Sequence, residues 1–326
     1  MSATLKLIAM VVLISSLSLF GQGQAPPPPA TDTVAPNIPG VVAGGTRVQV
    51  IKEGLVGTEG PIAFTDGSLL FTETDLNRIT RIDKDGSVST FLENTHETNG
   101  LAFDSGGRLI GVARAPGHAG ILVLYPKDKQ AVLTDNFEGK PFGRPNDLVV
   151  DKKGGVYFTD PSVNPTPEQP NPPPKTLYYL PPGGKTIRVA EGIERPNGVQ
   201  LSRDERTLYL ANTPGEYLLA FDIQPDGTLR NRRDFAKLQP ANRPGSGAAG
   251  GADGIAIDND GRIYVATTAG VQVLSEQGQH LGTIPVSRSP QNIAFAGPDK
   301  KTLYIVGRGA AYKVQMLAQG FSGRVK

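Results

Sequence analysis

One pattern, strand then turn then strand, is written into this chain six times. The copies are "EGPIAFTDGSLLFTE" from Glu59, "NGLAFDSGGRLIGVA" from Asn99, "NDLVVDKKGGVYFTD" from Asn146, "NGVQLSRDERTLYLA" from Asn197, "DGIAIDNDGRIYVAT" from Asp253 and "QNIAFAGPDKKTLYI" from Gln291. In each, a turn rich in Asp, Gly and Lys separates two apolar runs, and the second run is aliphatic or aromatic, as in "GGVYFT" and "GRIYVAT". A third strand often follows, such as "NRITRID", "GILVLYP", "TLYYLPP", "YLLAFDI" or "AGVQVLS". The copies recur at intervals of roughly 40 to 55 residues, the length of a propeller blade of about four strands. No stretch keeps a helical period. The chain is therefore expected to be all-β, a six-bladed β-propeller with about four strands per blade. A two-sheet sandwich leaves six copies of one pattern unexplained.

The strand "TRVQVIK" (46–52) has no repeat of its own. It is expected to complete the last blade beside "AAYKVQM" (310–316), which closes the ring and protects two sheet edges.

Ahead of the repeats, Lys6 precedes the uncharged run "LIAMVVLISSLSLF" (7–20) and then "GQGQA". This is the layout of a signal peptide with cleavage after Ala25. The run is short for a bilayer span, which needs roughly 20 apolar residues, so no stable membrane insertion is expected after cleavage. The protein is expected to be exported, to a periplasm or to the medium. Residues 1–25 are then the leader, 26–40 a proline-rich linker, and 41–326 a single propeller domain.

The absence of Cys excludes disulfides, thiolate catalysis and Cys-based zinc sites. With 33 Lys and Arg against 31 Asp and Glu, and no basic stripe, nothing points to nucleic acid.

Aligned on their turns, the copies begin with Glu59, Asn99, Asn146, Asn197, Asp253 and Gln291. Every one is a carboxylate or a carboxamide. Equivalent positions on the innermost strands of a propeller surround its axis, so the column is expected to form a ring of oxygen donors at one mouth of the channel. Local capping of a strand would accept Ser, Thr or Gly at these places equally well. A set of oxygens without His or Cys favours calcium or another hard divalent ion over zinc. Glu59 and Asp253 would neutralise its charge, and Asn146 and Asn197 would add neutral carbonyls.

In this order, "EGP", "RPND", "RPNG" and "GADGIAID" resemble the gluconolactonase and regucalcin lactonases, also called the senescence-marker-protein family, from about Thr58 to Val306. The resemblance implies a six-bladed propeller with one divalent metal in its channel. It implies that Glu59, Asn197 and Asp253 bind the metal and that Arg144 and Asn146 face the substrate. In some relatives the residue matching Asn146 also binds the metal, so Asn146 serves ion, substrate or both. The implied activity is opening of a small lactone or related ester, with the metal polarising the carbonyl and Asp253 as the general base. Asn99 is expected to contact the substrate or support the ring. Asp160, at the end of "YFTD", is either a carboxylate beside the substrate or a turn residue before Pro161.

Where this chain reads "GVARAPGHAG", many bacterial relatives carry a charged residue and His, and the resemblance leaves open whether His118 fills that place; His96 reads as a loop residue near the mouth. The loops "PSVNPTPEQPNPPPK" (161–175) and "RPGSGAAGGAD" (243–253) are expected to border the mouth. "GSGAAG" lies between a proline-bearing loop and a strand, which is the wrong context for a dinucleotide fingerprint. The alternative to an enzyme is a propeller that binds a ligand or partner and uses the ion as a brace. A quinone-dependent sugar dehydrogenase lacks an evident cationic cofactor pocket in the repeats.

Overall fold

The computed structural model describes residues 29–165, 170–241, 249–324 and 326. The expected leader lies outside them, as do parts of both loops at the mouth. The described chain is built from strands joined by tight turns, and its only helical elements are the 3-10 turns Thr74–Leu76 and Lys127–Lys129.

Five antiparallel sheets of four strands and one of five make six blades. Their innermost strands are Thr58–Ala63, Leu101–Phe103, Leu148–Val150, Pro196–Leu201, Ile255–Ile257 and Asn292–Ala296. Each of these touches the next in cyclic order, and the last touches the first, which closes the ring around a central channel. The inner strands are buried on both faces. This explains their continuous apolar runs where a surface sheet would alternate. The outermost strands carry the charge, as in the exposed "LRNRRDFAK" of Leu229–Lys237.

Between blades, aromatic rings fill the wedge-shaped gaps. Tyr264 of the fifth blade meets Phe295 of the sixth edge to face at 5.0 Å, while within the third blade Phe158 stacks on its cross-strand partner Tyr178 at 5.3 Å.

The sixth blade is assembled from both ends of the propeller. The strand Arg47–Glu53 pairs antiparallel with Ala310–Gln315, with Gln49 opposite Lys313 and Val50 opposite Tyr312. Thr33–Val34 then adds a fifth, outer strand. Ala35 and Ile38 are buried with Val41 and Val42 in the core of this blade. The packed chain thus begins ahead of Val41, the boundary that the proline content suggested. Prolines remove ladder donors, but an outer edge tolerates that loss, and the apolar residues among them still find a core.

One element has no counterpart in the repeats. Between the second and third blades, Asn136–Phe137 and Lys140–Pro141 form a two-stranded hairpin. Phe137 and the buried Phe142 pack on Tyr178 at 5.3 and 5.1 Å, which fixes the approach of the chain to Arg144.

Candidate active site

Hydrogen bonds join several of the column residues and their neighbours across adjacent blades. Asn99 donates its side-chain amide to the Asn146 carbonyl at 3.0 Å, and Gly254 donates its backbone N–H to the Gln291 carbonyl at 2.8 Å. Gln291 in turn donates to Glu59 Oε1 at 3.3 Å, which joins the last blade to the first. Between the third and fourth blades, Val199 N–H reaches Asp147 Oδ2 at 3.1 Å.

The blades meet so closely that side chains are excluded beside the ring. A Cβ on Gly60, where φ is +47°, would lie 2.1 Å from the Asn99 carbonyl oxygen, and one on Gly198 would lie 2.1 Å from that of Asp253. This is the physical reason that Gly follows the column residue in four of the six copies, at Gly60, Gly100, Gly198 and Gly254.

Asn99, Asn197 and Glu59 are buried, while Asn146, Asp253 and Gln291 are half-buried. Asn197 is oriented by Thr213, whose hydroxyl accepts its amide at 3.0 Å, and Glu59 Oε2 accepts from Asn292 at 3.2 Å. Four oxygens of this region are buried and have no protein partner: Asn99 Oδ1, Asp147 Oδ1, Asn197 Oδ1 and Asp253 Oδ1. Buried acceptors are rarely left so, and a cation is the partner that satisfies several at once. Among the described residues no group of three or more His, Cys, Asp or Glu forms a metal cluster, so any ion here relies on carboxamides as well as acids. The donor set fits a hard cation.

Burial disfavours the charged form of both acids of the ring. Burial pushes the Glu59 carboxyl above its ordinary value, against the Asn292 hydrogen bond and with the help of the Asp147 charge. Asp253 is raised well above its ordinary value by burial first and then by the charges of Glu59 and Asp147.

Asp147 was not anticipated. It stands where most other copies have Gly, and a Cβ on Gly100 would meet its Oδ1 at 2.6 Å. Its other oxygen takes an ion pair from Lys326, whose Nζ also reaches the Leu148 carbonyl at 2.7 Å.

Arg144 is exposed and lines a cavity of about 250 Å³ that also reaches Asn146. The described part of the proline-rich loop borders it through Pro161, Ser162, Val163, Asn164 and Lys175, and Arg114 and Arg195 complete its basic lining. Arg195, from the second Arg-Pro-Asn copy, thus shares the cavity with Arg144. Asp160 does not face it as a ligand. Its Oδ2 accepts Gly143 N–H at 2.7 Å, and its Oδ1 accepts those of Arg144 and Ser162 at 2.9 and 2.7 Å. These bonds hold the loop that carries Arg144.

His96 and His118 stack on one another at 4.3 Å, and the His96 carbonyl accepts the backbone N–H groups of Arg114 and Ala115. Neither ring lines the cavity beside Asn146. A larger cavity of about 500 Å³, lined by Asp151, Tyr179 and Glu205 among others, contains no residue of the ring.

A family model described as SMP-30/Gluconolactonase/LRE-like region matches residues 57–308. A gluconolactonase of Zymomonas mobilis is 29% identical over 296 residues, covering 83% of this chain and 82% of its own. Regucalcin of Danio rerio is 28% identical over 281 residues, covering 83% of this chain and 89% of its own. The solved structure of a gluconolactonase from Xanthomonas campestris superimposes with a TM-score of 0.74 at 29% identity, over 89% of this chain and 99% of that one. Matched from Gly57 to Arg308, and built of six blades around an oxygen-lined channel mouth, the chain belongs to the SMP-30/gluconolactonase/LRE-like family.

Proposed function

We propose that this protein is a metal-dependent hydrolase that opens a small lactone. The observation that carries the reading is the set of buried, unpartnered oxygens on Asn99, Asn197 and Asp253 beside Glu59, in a family whose relatives include gluconolactonases. Glu59, Asn197 and Asp253 would hold a divalent ion, calcium by the hardness of its donors, with Asn146 shared between ion and substrate. Such an ion supplies Lewis-acid polarisation of a carbonyl oxygen and compensates charge that develops there.

The chain's own groups do the rest. Arg144 offers a planar, always charged fork to the polar end of the substrate. Asp160 keeps that fork in place by binding the amides on either side of it, at Gly143, Arg144 and Ser162. Asn99 supports the ring by holding the Asn146 backbone. Asp253, set in the ring beside Glu59, would be the group that takes a proton from the attacking water. With the ring glycines fixing the blades in close contact, these groups are held without large rearrangement.

The test is a panel of lactones and simple esters assayed with and without a chelator. Opening of a lactone that stops on chelation and returns with calcium supports the reading. Full activity in Asp253→Asn and Glu59→Gln would refute it. A lower melting temperature on chelation, with no hydrolysis anywhere in the panel, would instead identify a propeller braced by its ion.

A further inference from the structure

The cavity beside Asn146 is lined by four basic side chains, Arg114, Arg144, Lys175 and Arg195, and among the described residues by no acid. Among the described residues none of the four is ion-paired to a carboxylate. Two further donors in its lining are buried and unpartnered: Arg114 Nε and the hydroxyl of Ser162, a residue only 8% exposed. The Ser162 backbone is held by Asp160 at a φ of +54°. The adjoining cavity of about 720 Å³, which shares Arg114, Arg144 and Val163, is lined by Glu97 and Asp135 as well. The donor-rich character therefore belongs to the part that reaches the ring.

A neutral polyol presents hydroxyls that both give and accept, and is matched by a mixture of donors and acceptors. This cavity offers guanidinium, ammonium and hydroxyl donors, with little besides Asn146 and Asn164 to accept in return. Four neighbouring cations also repel one another, and burial and then Arg144 disfavour the charged form of Arg114, offset in part by Glu59, Asp75 and Glu97. An anion between them relieves both costs, and bonds to a charged acceptor are stronger than neutral ones.

We propose that the substrate is a lactone bearing a second, anionic group, a phosphate or a carboxylate, which binds among Arg114, Arg144, Lys175, Arg195 and Ser162 while the lactone carbonyl faces the ring. This substrate class rests on the lactonase reading. The cavity itself does not. The carboxylate released by ring opening is common to every lactone, so the second group is what distinguishes the class.

The experiment compares gluconolactone with phosphogluconolactone and glucarolactone under calcium, and titrates gluconate, phosphogluconate and glucarate calorimetrically into the same protein. An anionic lactone is expected to show kcat/KM at least about tenfold above gluconolactone, and its open acid to bind about tenfold tighter than gluconate. Whichever of the two leads separates phosphate from carboxylate. Both ratios should fall toward one in Lys175→Gln, Arg195→Gln and Ser162→Ala, substitutions that do not disturb the core. Equal rates and equal affinities for neutral and anionic compounds would overturn the proposal even if lactones are opened. Charge-selective binding that the variants abolish, without hydrolysis of any lactone, would keep the anion site and remove the lactonase reading.

Discussion

Lys326 Nζ lies 2.5 Å from Asp147 Oδ2, and the two side chains are only 4% and 1% exposed. The ammonium also reaches the carbonyls of Leu148 and Val199, so the pair bridges the inner strands of the third and fourth blades. Lys326 lies within the field of Glu59 as well, and it is the positive charge closest to Asp147. Removing it leaves a buried carboxylate facing two other acids. Lys326→Met is expected to cost about 3–5 kcal/mol of stability, and Lys326→Met with Asp147→Asn substantially less. Denaturant titration of the three variants measures the difference.

Burial and neighbouring negative charge disfavour the ionised forms of Glu59 and Asp253. Asp253→Asn is expected to lower kcat by at least about 100-fold, the usual effect of losing a positioned base. The same substitution, and Glu59→Gln, should raise the melting temperature of the chelated protein, because each removes one charge from a buried pair that burial and mutual repulsion already disfavour. Activity and thermal denaturation measured on one preparation show whether the two effects move in opposite directions.

Asp160 gathers three backbone N–H groups with no solvent exposure. Asp160→Ala strands them and should cost about 1–3 kcal/mol. It should also release Arg144, raising KM more than it lowers kcat. Asp160→Asn, which keeps one accepting oxygen, should lie between the variant and the native protein on both measures.

His96 is held below its ordinary value near 6.5, by burial and then by the charge of His118. A base with a lowered folded pKa binds fewer protons folded than unfolded, so stability is retained above the unfolded value and falls as pH drops through it. Thermal denaturation between about pH 7.5 and about pH 5.5 should show a decline that His96→Gln reduces.

The fold was legible because a propeller repeats its chemistry at a fixed period, and six similar runs admit one closed arrangement. The ring was legible for the same reason: Glu59, Asn99, Asn146, Asn197, Asp253 and Gln291 share a place in the repeat, and a column can be read from sequence. Arg114 and Lys175 share no such place, since one comes from another blade and one from a loop. Arg195 stands in the same Arg-Pro-Asn frame as Arg144, yet function was attached to Arg144 alone. Asp147 did carry a signal. It occupies the position where Gly60, Gly100, Gly198 and Gly254 report close contact between blades, and a charged residue there marks a break in the rule. Its partner Lys326 lies in another part of the chain, where pattern reading has no purchase. The hairpin at 136–141 was missed because an insertion between repeats has nothing to be aligned with.

The seam in the sixth blade sets an order of events during folding. Arg47–Glu53 emerges from the ribosome long before Ala310–Gln315, the strand it must pair with. Until that strand arrives, the early strand has only the two-residue Thr33–Val34 to pair with, and the first blade lacks one neighbour. The last step pays the loop-closure entropy of nearly the whole chain and is therefore slow. A nascent or partly unfolded molecule of this kind presents two open sheet edges, and a second copy can supply the missing strand as readily as the molecule's own late one. Exchange of this strand between chains is accordingly the characteristic route by which this fold would misassemble.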